Sequence, residues 1–304
     1  MPEKSVVPAK SYAPSREVEV GTLAAVAAYL MWGLLPVYWK RLSGVESLQI
    51  LGHRIVWAAA FAVAALLATG RLGSLAALFR DRRRALYAAA ASVLITINWG
   101  TYIWAVNSDH VVESSLGYYI NPLVSVALGA IFLREKMDKW TSWAVGIAAA
   151  GMAIASIMIG RLPWISLVLA TSFGLYGLVK KKAGLEPLAG LAAETLVVAP
   201  LAIAFLVARH AAGAGSFGGR DTVATAMLFL AGVVTAVPLL FFAAAANRIT
   251  LTRMGFVQYV SPTLQFALGV FAFGESVGPP MIAAFAAVIG AVALYALTRG
   301  RAKA

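Results

Sequence analysis

The chain has 304 residues, 61% hydrophobic and 12% charged, with no cysteine and a formal net charge of +12. A soluble domain carries roughly 25% charged residues, so a water-facing surface is excluded for a core of this size, and the missing cysteines exclude disulfides and thiolate metal sites. Lys and Arg sit at the ends of apolar runs and not in a patch interleaved with aromatics, which assigns the positive charge to membrane orientation and excludes a nucleic-acid partner.

Residues 1–20 are polar, contain Pro2, Pro8 and Pro14, and lack an apolar signal core; they are expected to form a disordered cytoplasmic tail. The first apolar run, 21–39, is followed by Lys40-Arg41 and reads as a retained span. Runs long enough to cross a bilayer as helices recur along the rest of the chain. Ten are expected, at about 21–39, 48–68, 85–105, 111–133, 140–159, 162–179, 188–208, 223–246, 254–273 and 279–298. The longest connections, 69–84 and 209–222, read as loops. With the N-terminus inside, nineteen Lys and Arg fall in inner segments and five in outer ones, with Arg54 left within a span. Both termini are therefore expected in the cytoplasm, in a bacterial-type inner membrane.

The segment YYINPLVSVALGAIFLRE (118–135) returns as QYVSPTLQFALGVFAFGE (258–275). An offset of 140 carries Pro122 onto Pro262, Ala127-Leu128-Gly129 onto Ala267-Leu268-Gly269, and Glu135 onto Glu275. A second, fainter register of 141 carries Trp32-Gly33 onto Phe173-Gly174. This self-similarity predicts an all-α integral membrane protein of two five-helix repeats, 21–160 and 161–299. An odd number of spans per unit inverts the second copy relative to the first. The turn after the first repeated helix is REKMDK, and its counterpart GESVGPP has no Lys or Arg, as inversion requires. Inverted repeats put a binding site near the midplane, between the copies.

Polar groups inside spans are costly and mark cavities or fixed pairs. Arg54 leads, sharing a helix face with Trp57 and Phe61; its planar fork suits a substrate carboxylate, while the alternative ties it to Glu113, Glu194 or backbone carbonyls as a strut. His53 beside it is either structural or part of a proton relay. In the third span Asn98 and Tyr102 share a face, with Trp99 nearby. In the fourth, Glu113, Gly117, Asn121 and Ser125 form a small polar stripe beside Tyr118, matched in the ninth by Gln258, Ser261, Gln265 and Gly269. Such stripes suit a close helix contact or a cavity wall, and their recurrence favours the wall. Pro122 and Pro262 free backbone carbonyls and serve as candidate hinges. Glu194, matching His53 in the second copy, is a proton carrier or a partner for Arg54. His53, His110 and His210 lack metal-ligand spacing, so no metal or other cofactor is expected. Gly213, Gly215 and Gly218 spell GxGxxG, but in a loop after a membrane span and not after a strand, which removes the dinucleotide reading.

The segments AYLMWGLLPVYWK (28–40), HRIVW (53–57), NWGTYIWAVNSDHVVESSLGYYINPLVSVALG (98–129), PWISLVLATSFGLYGLVKKK (163–182) and GFVQYVSPTLQFALGVFAFGE (255–275) resemble the RarD-like, chloramphenicol-sensitivity-type branch of the EamA permeases, in the drug/metabolite transporter superfamily. The resemblance covers about 21–298 and implies a ten-helix permease with its cavity lined by spans 1–4 and 6–9. It also implies export of small metabolites, amino acids (including aromatic and neutral ones) foremost. Small multidrug exporters of that superfamily couple to protons through a carboxylate in their first helix; span 1 here has none, so Glu113 or Glu194 would have to substitute, or transport is uncoupled. The expected partners are a small-molecule substrate and the lipid bilayer, and the expected unit is a monomer. Rival readings are a drug or nucleotide-sugar permease and, from another class, a membrane enzyme or scaffold that transports nothing.

Overall fold

The computed structural model describes residues 16–133, 137, 139–219, 221–246, 248–249 and 257–301, and every regular element among them is helical. The first fifteen residues, Glu135 and Asn247 of the repeats, and the start of the expected ninth span lie outside the described residues. The helices are α1 (Arg16–Lys40), α2 (Ser47–Ala68), α3 (Leu72–Arg80), α4 (Arg82–Asn107), α5 (Val111–Leu133), α6 (Lys139–Ile159), α7 (Trp164–Ala183), α8 (Pro187–Ala211), α9 (Thr222–Ala246), α10 (Val260–Ala267) and α11 (Pro279–Arg301). Helix α10 continues into a π-helical turn, Leu268–Ala272.

Seven of these helices, α1, α2, α4, α5, α6, α8 and α9, are long and apolar enough to span a bilayer. Shorter apolar stretches occupy Trp164–Lys180, Val260–Ala272 and Pro279–Tyr295. Large apolar side chains such as Leu23, Ile157, Leu201, Phe271 and Leu297 stand exposed on the outside, while the interior is rich in alanines such as Ala28, Ala58, Ala91, Ala192 and Ala231. That inversion of the soluble pattern fits lipid as the solvent, with small residues letting helices approach. The protein is a multi-pass membrane protein.

Two elements differ from the sequence expectation. Helix α1 starts at Arg16, upstream of the expected span, with Glu17 and Glu19 in the first turn where the helix dipole favours them. The expected 69–84 loop contains α3, whose Leu75 and Leu78, one turn apart, are buried in a cluster with Leu188 and Leu191 of α8. A helix this short carries no spanning signal, and docking of one face holds it.

Helix α2 packs against α8 and α9, α4 against α7 and α8, and α1 against α9 and α10; α5 lies on α7 and α10, and α6 on α11. At one end of the bundle Lys40 pairs with Asp109, Arg209 reaches Glu46 at 2.9 Å, and Arg161 lies 3.6 Å from Glu113. Glu275, from the turn before α11, joins the same end by accepting hydrogen bonds from the amides of Val111 and Val112 at the start of α5. At the other end Arg71 meets Glu186 at 3.1 Å and Arg248 meets Glu17 at 3.1 Å.

Candidate functional site

Helix α2 carries Arg54 about two turns from its start, and the side chain turns inward to become 4% exposed. Its guanidinium carbon lies 4.1 Å from the Trp99 ring centroid on α4 and 5.1 Å from that of Trp39 at the end of α1. Gly100 permits the close approach of α2 and α4: a methyl group there would sit 3.1 Å from Leu51. Tyr102, one turn beyond Trp99, meets Tyr118 of α5 edge-on, with ring centroids 5.7 Å apart. Both tyrosines lie in the neighbourhood of Arg54. Asn121 stands one turn further along α5, its buried Oδ1 without a partner. Arg54, Trp99, Tyr102 and Tyr118 thus come together, with Asn121 on the adjoining turn.

The electrostatics of this cluster are unbalanced. The Nε and Nη1 of Arg54 are buried without hydrogen-bond partners, as is the Tyr102 hydroxyl. No carboxylate pairs with Arg54 among the described residues. A buried unpaired charge costs several kcal/mol, and two indole faces offset about 2 kcal/mol of that. The arrangement leaves a guanidinium fork, walled by aromatic rings, with donors directed at nothing.

The other candidate residues are engaged elsewhere. Asn98 donates to the Leu169 carbonyl and to Ser172 Oγ, both at 3.0 Å, tying α4 to α7. Glu113 accepts from the Ile165 amide at 3.2 Å and faces Arg161. Glu194, 1% exposed, holds Lys180 at 2.6 Å and the Tyr176 hydroxyl at 2.9 Å. The carboxylates that would make Arg54 a strut are therefore committed to other cations. His53 points away from Arg54, because adjacent helix positions diverge by about 100°; it stacks on Phe217 at 4.9 Å and lines a cavity of 310 Å³ with Gln49 and His210. Trp57 likewise leaves the Arg54 cluster for Phe229 of α9.

Gln265 donates from Nε2 to the Trp32 carbonyl at 3.3 Å and to Ser261 Oγ at 3.1 Å, joining α10 to α1. Gln258 lies half-buried in the turn before α10, its carbonyl accepting from the Ser261 amide at 3.3 Å. Pro122 sits inside the unbroken α5, and Pro262 is buried in the first turn of α10. The two polar stripes are close helix contacts at their glycines. A Cβ at Gly117 would lie 2.9 Å from the Ser166 carbonyl oxygen of α7, and one at Gly269 would lie 2.9 Å from Val112 of α5.

Sequence reasoning missed Trp39, Lys180, Tyr176 and Glu275 as partners. Trp39 ends an apolar run beside Lys40, where tryptophan reads as an interfacial anchor. Glu275 had a usable signal, since the repeat returns it from Glu135. Among the described residues no group of three or more His, Asp or Glu side chains gathers as a metal site.

The EamA-like transporter family matches residues 19–157. The protein RarD of Streptomyces exfoliatus is 43% identical over 278 residues, covering 91% of this chain and 88% of that protein. The uncharacterized transporter YojE of Bacillus subtilis is 41% identical over 288 residues, 93% of this chain and 95% of the relative. One solved crystal structure superposes with a TM-score of 0.60 at 17% identity, over 92% of this chain and 98% of that one, a likeness of fold alone. The family names describe transporters and not enzymes. With more than nine-tenths of its length aligned to relatives above 40% identical, the chain belongs to the EamA-like transporter family as a RarD-like permease.

Proposed function

We propose that the protein is an alternating-access carrier exporting small amphipathic metabolites that bear a carboxylate, the class that includes amino acids. The observation that carries this reading is the buried Arg54 fork, set between Trp39 and Trp99 with Nε and Nη1 unpartnered. A carboxylate entering there gains charge-assisted hydrogen bonds, and an apolar body gains the rings of Trp99, Tyr102 and Tyr118. Among the described residues no other buried cation in the spans stands free of a carboxylate.

The carrier is proposed to consist of two inverted five-helix repeats, ten crossings in all, with both termini cytoplasmic. Three features support this. First, the family match over 19–157 covers one such unit. Second, the helix packing exchanges under a shift of five spans: α1 with α9 becomes α7 with α4, α1 with α10 becomes α7 with α5, and α2 with α9 becomes α8 with α4. Third, the repeat-matched glycines do the same work. A Cβ at Gly33 would lie 2.9 Å from Leu264, and one at Gly174 would lie 2.9 Å from Leu128. The ion pairs add that turns expected on one side of the bilayer bond to each other. Pro122 and Pro262 are the proposed hinges.

The reading is tested by uptake of a panel of amino acids and related carboxylates into proteoliposomes, with Arg54→Ala as the control. Uptake of at least one carboxylate that falls with Arg54→Ala supports it; flat uptake throughout refutes it. Reporter fusions in the GESVGPP and REKMDK turns test the inversion, which fails if both report the same side.

A further inference from the structure

We infer that the Arg54 site selects its cargo by net charge, taking amphipathic monoanionic carboxylates in preference to zwitterions. The inference rests on the carrier reading above and narrows its substrate class. It comes from charge balance within the membrane. Among the described residues both carboxylates buried within the spans are already paired, Glu113 with Arg161 and Glu194 with Lys180. Among the described residues no carboxylate pairs with Arg54, which is 4% exposed and has the rings of Trp39 and Trp99 against its guanidinium, so it is left as an uncompensated positive charge. One negative charge restores neutrality. A free amino acid brings a carboxylate to the fork but also an ammonium, which its short tether holds close to the guanidinium. That ammonium has no anionic partner to receive it.

The acceptor on hand is neutral: the Tyr102 hydroxyl is buried and unpartnered, and it can accept a hydrogen bond without cancelling a like-charge repulsion. At the effective dielectric of a protein site, two like charges that close weaken binding by roughly tenfold or more. The body of the cargo is set by the walls. Trp39, Trp99, Tyr102 and Tyr118 present ring faces and edges, so an apolar or aromatic group beside the carboxylate is favoured over a polyol or a phosphate ester.

The test uses three probes sharing one phenyl body: 3-phenylpropanoate as the anion, L-phenylalanine as the zwitterion and phenethylamine as the cation. Binding is measured on the full chain in lipid nanodiscs by calorimetry at neutral pH. The expected order is 3-phenylpropanoate at least roughly tenfold tighter than L-phenylalanine, with no binding of phenethylamine. Arg54→Gln should abolish the difference between anion and zwitterion. If that variant does not fold, Arg54→Lys should retain the order while weakening the anion roughly tenfold through loss of the bidentate fork. L-phenylalanine binding as tightly as 3-phenylpropanoate, or any binding of phenethylamine, overturns charge selection and leaves the carboxylate carrier standing. Failure of both anion and zwitterion to bind folded protein overturns the carboxylate carrier itself.

Discussion

Replacing Glu275 by alanine should destabilise the bundle through one helix end. The Oε1 of Glu275 accepts from the Val111 amide at 2.8 Å and its Oε2 from the Val112 amide at 2.9 Å. Val111 and Val112 are buried, so water cannot take over both amides once the carboxylate has gone. Loss of a helix cap costs about 1 kcal/mol, and removing a negative charge from a helix N-terminus adds up to about 1 kcal/mol. An unsatisfied buried amide adds about another 1 kcal/mol. Because Glu275 is itself half-buried, the Glu275→Ala loss is expected near the lower part of that sum, about 2 kcal/mol. Glu275→Gln keeps one acceptor oxygen but sets an NH2 group against the second amide, and should cost about half as much. Thermal unfolding of the purified protein, followed by tryptophan fluorescence, reads both variants. The reasoning is refuted if Glu275→Ala melts with wild type, or if Glu275→Gln is the more damaging of the two.

The Lys180–Glu194 pair should respond asymmetrically. Lys180→Met strands a carboxylate in a side chain 1% exposed and should cost about 3 kcal/mol, whereas Glu194→Gln leaves a lysine still 24% exposed that can reach water, and should cost less; equal losses in denaturation would contradict this. Gly232→Ala is expected to lower stability by about 1–3 kcal/mol, because its Cβ would overlap the Trp57 carbonyl group of α2 and neither helix backbone can yield; a neutral melting point would count against that close approach. Asn98→Leu removes both hydrogen bonds from α4 to α7, for an expected loss of about 1–3 kcal/mol. If Asn98→Leu abolished substrate binding without any loss of stability, the residue would be a ligand and not a tie.

The apolar runs of the sequence determined where long helices form, since an 18- to 25-residue stretch of Leu, Ala, Val and Phe satisfies its own backbone in lipid whatever surrounds it. The repeat also singled out residues that matter for packing, because Gly33, Gly174 and Gly269 each sit where another helix would meet a Cβ. Sequence marked Arg54 as costly to bury, but could not say whether a carboxylate answered it. That depended on which helices become neighbours. Packing gave Glu113 to Arg161 and Glu194 to Lys180, while α1 and α4 brought Trp39 and Trp99 to Arg54. It likewise turned His53 to Phe217 and made Asn98 an interhelix tie. Periodicity fixes a helix and its faces within a few residues of chain. Which charge meets which is a contact between segments far apart in sequence, and only the packed tertiary structure decides it.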